Sequence, residues 1–250
     1  MLPVALTIAG SDPSGGAGLQ ADLKTFHRFG VYGEAVVTLI TVQNTVSLDR
    51  VETLPPDLVL AQLRAVLADI PPRAAKTGAL GSAAVIEVIA AQDFSFPLVV
   101  DPVMIAKHGA RLGDLSSKLI AKAYLLTPNL DEASELAGFP VNDRDSMSRA
   151  AQMLIAMGAR NVLVKGGHLH GDALDLLVME GGEEREFSAP RIETRHTHGT
   201  GCTYSAAITA ELAKGTGLVE AVSRAKTFVT EAIRTNPGLG HGSGPLNHFA

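Results

Sequence analysis

Short apolar runs rich in branched side chains alternate along this chain with longer segments of helical periodicity. Strands are predicted at residues 4–9, 35–42, 74–76, 98–101, 124–127 and 162–164. Helices are predicted between them at residues 19–29, 58–70 and 83–91, from about residue 130, and at 146–157. This alternation builds a parallel sheet, and strands as continuously apolar as these are covered on both faces.

The pattern changes after Gly167. Residues 174–179, 184–188 and 192–194 are short strand candidates separated by Gly and Pro turns, which predicts antiparallel strands at the edge of the sheet. Two helices follow, at residues 203–213 and 218–234. The Gly-rich tail GLGHGSGPLNH, residues 238–248, is either an ordered loop or a flexible end.

Composition limits the function further. No change of composition divides the 250 residues, so we expect a single domain over residues 1–250. The net charge of -5 with dispersed Lys and Arg argues against a nucleic-acid partner. No apolar run approaches the roughly 20 residues that cross a bilayer, and the N-terminus is typical of a buried strand rather than a signal peptide. Cys202, the only cysteine, cannot form an internal disulfide, and we expect a cytoplasmic protein.

The first strand-to-helix connection, GSDPSGGAGLQADLKTF at residues 10–26, combines four glycines with small polar residues. Backbone amides can approach a ligand closely in such a loop. It matches neither the Walker pattern nor the dinucleotide fingerprint. The alternative is an ordinary turn in which Asp12 or Ser14 caps the helix.

A second glycine segment, HGTGCTYSAA at residues 198–207, places Gly199, Thr200 and Gly201 directly before a helix. Unpaired amides and the helix dipole make such a start an anion hole for a phosphoryl group in transfer. The same field is expected to lower the pKa of Cys202, so that a thiolate could accept a proton from an attacking hydroxyl. The alternative is a small buried cysteine that only packs against the sheet.

Charged and polar residues also follow the strands, where ligands bind in parallel sheets. Asp101 and Glu132 suit a magnesium ion and Lys165 suits ATP phosphates, whereas Asn129 with Glu132 also fits an ordinary helix start. His196 and His198 lie two residues apart, but no cysteine cluster accompanies them to support zinc.

Taken in order, GSDPSGGAGLQADLKT, TVQNT, KTGAL, DPVMIAKHG, TPNLDEA, LVKGGH and HGTGCT resemble the hydroxymethylpyrimidine and phosphomethylpyrimidine kinases of the ribokinase-like superfamily. The resemblance spans nearly the whole chain. It implies a three-layer α/β/α fold with a mostly parallel central sheet and antiparallel edge strands. It also implies two ATP- and Mg²⁺-dependent phosphorylations for thiamine biosynthesis, first of the pyrimidine hydroxymethyl group and then of the monophosphate.

The resemblance also implies roles for individual residues at the acceptor substrate. Gln43 is expected to hydrogen-bond the aminopyrimidine, since an amide offers both a donor and an acceptor. Gly10 is expected to contribute a backbone contact, and Asp22, Ala79 and Val103 are expected to line the same pocket.

The resemblance also implies which residues bind ATP, magnesium and the transferred phosphoryl group. Cys202 matches the family's catalytic cysteine, and Gly199, Thr200 and Gly201 match its anion hole. Lys165, Asp101 and Lys226 are assigned to ATP, and Glu132 is assigned to magnesium.

Two departures leave alternatives open. The family often has Met where this chain has Ala79, and Pro13 replaces a frequent Ser, so a roomier pocket could admit a larger ring. A pyridoxal or pyridoxine kinase is the competing enzyme, and a ligand-binding protein of the same fold without turnover is the non-enzymatic alternative. A homodimer and a mobile lid at residues 107–113 are further possibilities that the sequence leaves open.

Overall fold

A computed structural model describes residues 2–104, 116–167 and 171–250. The strands are β1 (Val4–Ser11), β2 (Tyr32–Gln43), β3 (Leu48–Thr53), β4 (Ala74–Thr77), β5 (Leu98–Val100), β6 (Leu125–Leu126), β7 (Val162–Gly166), β8 (Ala173–Val178) and β9 (Glu184–Ala189). The helices are α1 (Gly18–Arg28), α2 (Pro56–Asp69), α3 (Ala83–Ala90), α4 (Ser117–Ile120), α5 (Leu130–Ala137), α6 (Arg144–Ala156), α7 (Thr200–Ala213) and α8 (Leu218–Arg234). The loop 107–113 lies outside the described residues.

The described strands form one sheet in the order β3-β2-β1-β4-β5-β6-β7-β8-β9. From β2 to β7 neighbouring strands are parallel, whereas β3 at one edge and β8 and β9 at the other are antiparallel. The carboxyl ends of the parallel strands therefore point to one side, where this class of sheet binds its ligands.

Helices cover both faces of the sheet and enclose two apolar cores. One core joins the sheet to α2, α3, α4, α5 and α6, and the other joins it to α1, α7 and α8. Successive strand residues alternate between them: Val162 and Val164 belong to the first core and Leu163 to the second. This is the period of two that a sheet buried on both faces requires, and the predicted three-layer α/β/α fold is confirmed.

The predicted strands are confirmed in the interior of the sheet and at the antiparallel β8–β9 edge, whereas β3 and the segment after β9 differ from the prediction. Strand β3 was missed because its alternation of charged and apolar residues is typical of an exposed edge. The predicted strand at residues 192–194 is wrong: these residues form no strand, and the preceding Arg191 donates to the carbonyls of Gly167 and Gly171. None of the described helices has the length and apolar character of a membrane span.

Candidate active site

The two glycine segments of the sequence pack directly against each other at the carboxyl end of the sheet. Gly199, the N-cap of α7, has a φ of 78°, a conformation that favours glycine. A methyl group on Gly199 would lie 1.8 Å from the carbonyl oxygen of Gly16, so only glycine fits this contact. On the other side of the first loop, a methyl group on Gly18 would lie 2.3 Å from the carbonyl oxygen of Gly10. The two glycine segments therefore pack backbone against backbone, a contact that the sequence does not predict, while their approach to a ligand stays a prediction.

The start of α7, where the helix dipole is positive, lies beside Lys165 at the end of β7. A methyl group on Gly201 would lie 3.3 Å from Lys165 Nζ and 3.8 Å from Asp101 Oδ2, so both charges face this turn. Lys165 Nζ donates to Asp101 Oδ1 over 2.9 Å. Burial alone would lower the pKa of Lys165, but Asp101 and Glu132 raise it, so the ammonium stays charged. The arrangement gives an anion a helix start and a cation together.

Asp101 is itself fixed from three sides. Besides Lys165, it accepts hydrogen bonds from Ser205 on α7 over 3.1 Å and from Thr127 after β6 over 3.2 Å. Burial would raise the pKa of Asp101, but Lys165 and Lys76 lower it, so it is a carboxylate at neutral pH.

A second buried ion pair lies beneath the glycine segments. Lys76 on β4 donates to both carboxylate oxygens of Asp22 on α1, at 2.8 and 2.9 Å, and both side chains are 0% exposed. Thr7 on β1 donates to the same carboxylate over 2.6 Å. Burial tends to lower the pKa of Lys76, but Asp22, Cys202 and Asp101 raise it, so Lys76 is a cation close to the thiol. The sequence analysis assigned no role to Lys76, although a lysine inside the buried strand AAKT was a usable signal.

Cys202 lies in the first turn of α7 and is partly buried. Gly18 of the first glycine loop lies near the thiol, and its backbone amide lowers the pKa of Cys202. Burial raises the pKa of Cys202 to about 11; Asp22 and Asp101 add to this increase, and Lys76 only partly opposes it. The expected lowering of the thiol pKa by the helix start is therefore wrong for the protein without ligand, because desolvation outweighs the dipole.

Glu132 completes a capping box at the start of α5. Its Oε2 accepts from the Asn129 amide over 2.8 Å, and Asn129 Oδ1 accepts from the Glu132 amide over 2.9 Å. Burial raises the pKa of Glu132 from 4.5 to about 7, with Lys165 opposing and Asp101 adding to the increase. Glu132 therefore caps helix α5, which is the ordinary helix start that the sequence left open. Its carboxyl also interacts electrostatically with Lys165.

The carboxylates beside Lys165 are of the kind that binds magnesium. In the part of the chain that the structure describes, no three His, Cys, Asp or Glu side chains converge as a closed metal site. Mg²⁺ usually takes one or two carboxylates and completes its shell with waters and substrate phosphates. Asp101 and Glu132, which flank Lys165, match such an open site.

Gln43 ends strand β2, and its side chain is among the groups that lower the pKa of Asp12. The Asp12 carboxylate pairs with His198 Nε2 at 2.8 Å. The pairing of His198 with Asp12 was not predicted, and it leaves no support for zinc ligation by His198. Gly10 is buried at the end of β1, where a methyl group would lie 2.4 Å from Leu39 Cδ1.

Ala79 and Val103 follow neighbouring strands and are half-buried. The carbonyl of Ala79 accepts from Thr38 Oγ1 over 2.6 Å, and the Val103 amide donates to the carbonyl of Asp101 over 2.8 Å. Both lie after β4 and β5 at the carboxyl end of the sheet, while their contacts with a substrate remain predictions.

Lys226 is not brought together with the other predicted residues. Its Nζ donates to Asp175 Oδ2 and to the carbonyl of Ala173, both over 2.7 Å, so α8 is tied to β8. Its link to the phosphate side is indirect, through Asp175 Oδ1, which accepts from the Gly166 amide over 3.1 Å. These contacts give Lys226 a structural role, and its assignment to the nucleotide is untested.

The Gly-rich tail is an ordered strap across the acceptor side of the site. Its Ser243 amide donates to the carbonyl of Thr45 over 2.9 Å, and its Gly244 carbonyl accepts from the His198 amide over 3.1 Å. The strap therefore fixes both the turn after Gln43 and the residue before the anion hole. The sequence analysis left this segment open between a loop and a flexible end.

Comparison with known proteins gives one family. The family model described as phosphomethylpyrimidine kinase matches residues 12–247. A hydroxymethylpyrimidine/phosphomethylpyrimidine kinase of Streptomyces coelicolor is 46% identical over 254 residues, covering 98% of this chain and 94% of the relative. The thiamine biosynthesis bifunctional protein of Geobacter sulfurreducens is 49% identical and covers 98% of this chain, which spans 52% of that longer protein.

Solved structures of two kinds of kinase share the fold. Bacillus subtilis pyridoxal kinase with ADP has a TM-score of 0.89 and 39% identity, covering 99% of this chain and 98% of its own. Staphylococcus aureus pyridoxal kinase with AMP-PCP and pyridoxal has a TM-score of 0.87 and 38% identity, covering 100% and 95%. Phosphomethylpyrimidine kinase of Clostridium difficile has a TM-score of 0.80 and 43% identity, covering 92% and 99%.

Proposed function

The chain belongs to the phosphomethylpyrimidine kinase family, and from this premise we propose that it phosphorylates 4-amino-5-hydroxymethyl-2-methylpyrimidine and then the resulting monophosphate, with ATP as donor. The diphosphate product would serve thiamine biosynthesis, the process in the name of the Geobacter relative. The described strands all belong to one nine-stranded sheet, which supports one kinase domain over residues 1–250.

One observation carries the proposal: the start of α7 faces Lys165. Gly201 lies so close to Lys165 that one added methyl group would approach the ammonium to 3.3 Å. Phosphoryl transfer needs little covalent help from the protein and depends on positioning and on charge stabilisation. The positive end of the α7 dipole beside a largely buried cation is suited to supply both.

The proposed reaction is a direct displacement. The hydroxymethyl oxygen forms a new bond to the γ-phosphorus, and the bond from that phosphorus to the bridging oxygen of ADP breaks. The hydroxyl proton passes to the Cys202 sulfur when the thiol is ionised, and otherwise to solvent. Cys202 is the third residue of α7 and follows Gly201, and we propose that its sulfur lies below the acceptor oxygen.

ATP is proposed as the donor because related kinases were solved with ADP and with AMP-PCP. Asp101 and Glu132 would hold Mg²⁺, which neutralises charge on the phosphates when bound. We also propose a cytoplasmic location, in line with a chain whose one cysteine needs no oxidising compartment. A homodimer remains a prediction that sedimentation analysis would check.

Pyridoxal is the second candidate acceptor. It also presents a hydroxymethyl group on a nitrogen-containing aromatic ring, and pyridoxal kinases are among the structural neighbours with TM-scores of 0.87 to 0.89. The small Ala79 leaves room beside the proposed acceptor position. Gln43 favours the aminopyrimidine, whose amino group and ring nitrogen match an amide.

The test is ATP consumption measured in parallel with hydroxymethylpyrimidine, its monophosphate and pyridoxal. We expect the largest kcat/KM for the two pyrimidines. A clear preference for pyridoxal would favour the second candidate, and no turnover with any acceptor would favour a ligand-binding protein.

A further inference from the structure

The Gly-rich strap, residues 238–248, packs on the turn after β2 so closely that a side chain on the strap would not fit. The Gly242 amide donates to Thr45 Oγ1 over 3.3 Å, and the next amide, of Ser243, donates to the Thr45 carbonyl over 2.9 Å. A methyl group on Gly242 would lie 2.0 Å from that carbonyl oxygen. One end of the strap therefore holds the backbone of Thr45, two residues after Gln43.

The middle of the strap lies against both glycine segments of the site. The Gly244 carbonyl accepts from the His198 amide over 3.1 Å, and His198 forms a parallel β-bridge with Pro245. A methyl group on Gly16 of the first loop would lie 3.2 Å from Pro245 Cβ, and one on Gly244 would lie 2.2 Å from His196 Nδ1. The strap therefore contacts the first loop and the residues before the anion hole together.

The far end of the strap contacts the first turn of α7 through a buried histidine. His248 Nε2 lies 3.2 Å from Thr203 Oγ1, and the two residues are 7% and 0% exposed. Burial, with Lys24 adding to it, lowers the pKa of His248 from 6.5 to about 4, so the ring is neutral at neutral pH and can accept from the Thr203 hydroxyl. Because Thr203 directly follows Cys202, this contact acts on the turn that carries the thiol.

Further contacts anchor the strap between its two ends. Leu246 is 2% exposed and belongs to the core that also contains α7 and α8. Asn247 donates from its amide to the Ala232 carbonyl and from its side chain to Thr235 Oγ1, both over 3.0 Å. The strap is therefore fixed to the body of the protein, and a change at either end is passed to the loop or helix that it contacts.

We propose that the strap is a positioning element whose two ends act on different parts of the reaction. Its Gly242 end sets the position of the acceptor through Thr45. Its His248 end sets the start of α7 through Thr203. This inference rests on the proposed function, because it takes the turn after β2 to lie at the pyrimidine and the start of α7 to lie at the transferred phosphoryl group.

The two ends predict different kinetic effects. A displaced turn after β2 weakens the binding of the pyrimidine in the ground state and in the transition state alike, which raises KM and leaves kcat unchanged. A displaced start of α7 weakens the stabilisation of charge that develops only during transfer, which lowers kcat. A strap that only stabilised the fold would change the melting temperature and leave both kinetic constants as they are.

Gly242→Ala tests the acceptor end. Gly242 has an ordinary φ, so alanine is compatible with its backbone, and the new methyl group forces the strap and the Thr45 carbonyl apart. We expect KM for hydroxymethylpyrimidine to rise about tenfold, while kcat and KM for ATP change less than about twofold. Gly217→Ala, at a glycine with open space around it, is the matched control and should leave all three constants unchanged.

His248→Ala tests the other end, because it removes the hydrogen-bond partner of Thr203. We expect kcat to fall about tenfold, while KM for hydroxymethylpyrimidine changes less than about twofold. His248→Gln keeps a side-chain amide that can bond to the Thr203 hydroxyl, and it should recover most of the lost kcat. Phe249→Ala, at a side chain that is 92% exposed directly after the strap, is the matched control.

Unchanged KM in folded Gly242→Ala, unchanged kcat in folded His248→Ala, or the same change in both variants overturns the inference. If either variant does not fold, Thr45→Val or Thr203→Val decides in its place, because each replaces only the hydroxyl of the contact; a smaller change of the same kind is expected, and no change contradicts us. Failure of the proposed function is distinct, since the wild-type protein would then not phosphorylate the pyrimidine. KM for pyridoxal, or the Kd of the pyrimidine if nothing turns over, would still decide on the acceptor end.

Discussion

At Cys202 two opposing influences act on one thiol. The helix start and Lys76 favour the thiolate, whereas burial and the carboxylates of Asp22 and Asp101 favour the thiol. Burial prevails, with a pKa of about 11. A base that is protonated at neutral pH contributes only in proportion to its ionised fraction, so the anion hole carries much of the proposed catalysis without it.

Alkylation of Cys202 by iodoacetamide tests this balance. Only the thiolate reacts, so the rate constant should rise about tenfold for each pH unit between pH 7 and 9, with no plateau below pH 10. Saturating pyrimidine should slow the reaction if the sulfur lies below the acceptor oxygen. A plateau near pH 7 would contradict the raised pKa.

A matched variant separates chemistry from packing at the same residue. Since Cys202 is the only cysteine, Cys202→Ala should show no labelling at all. Turnover of that variant should fall if the sulfur accepts the proton, but by less than the roughly 10²–10⁴-fold of a base whose pKa lies near the operating pH, because little of the thiol is ionised. Near-normal turnover would leave Cys202 as packing.

Glu132 gives a second prediction at the residue scale. Its folded pKa of about 7 lies above the ordinary 4.5, so its ionisation costs stability as pH rises from about 4.5 to about 7. Glu132→Gln keeps an acceptor for the Asn129 amide and removes this cost. The variant should therefore gain thermal stability relative to the wild type between pH 5 and pH 8, while its Mg²⁺-dependent turnover falls. Loss of stability with unchanged magnesium dependence would make Glu132 a cap alone.

Among the structural elements, the start of α7 depends on its glycines, because a side chain at these positions would meet neighbouring groups. Gly201 has an ordinary φ, so alanine is compatible with its backbone, but the new methyl group would lie 3.3 Å from Lys165 Nζ. Gly217, the N-cap of α8, has open space around it and provides the control.

We expect Gly201→Ala to fold with little change in melting temperature and to lose about tenfold or more in kcat, because the ammonium must move from the phosphate position. Gly217→Ala should match the wild type in both measurements. Equal kcat values for the two variants would show that the contact between Gly201 and Lys165 is not part of the catalytic site.

The strands show which elements can be predicted from the sequence and which cannot. The interior strands were predictable because burial on both faces leaves a continuous apolar run. Edge strand β3 was not, since its solvent-facing residues break that run. The segment after β9 has strand-forming residues, but Arg191 bonds elsewhere and no pairing follows. Local strand propensity cannot predict hydrogen bonds to residues that are distant in the sequence.

Across the whole molecule, the residues with recognisable motifs were predictable and their partners were not. The glycine segments, Lys165 and Gln43 stand out by spacing and by resemblance. The pairs Asp22–Lys76 and Asp12–His198 join residues 54 and 186 positions apart, and no local pattern signals such contacts. The contacts of the strap were equally unpredictable, because they join the tail to two loops that are distant in the sequence. Burial likewise decided the pKa of Cys202, and burial is a property of the fold rather than of the motif.

The central claim is that one site phosphorylates the pyrimidine twice, and the most direct test is to identify the products by ³¹P nuclear magnetic resonance. With hydroxymethylpyrimidine and excess MgATP, we expect a monoester signal that appears first and then gives way to the coupled pair of phosphorus signals of a diphosphate. ADP formation without any phosphorylated pyrimidine, or a monoester that forms only from pyridoxal, would contradict this account.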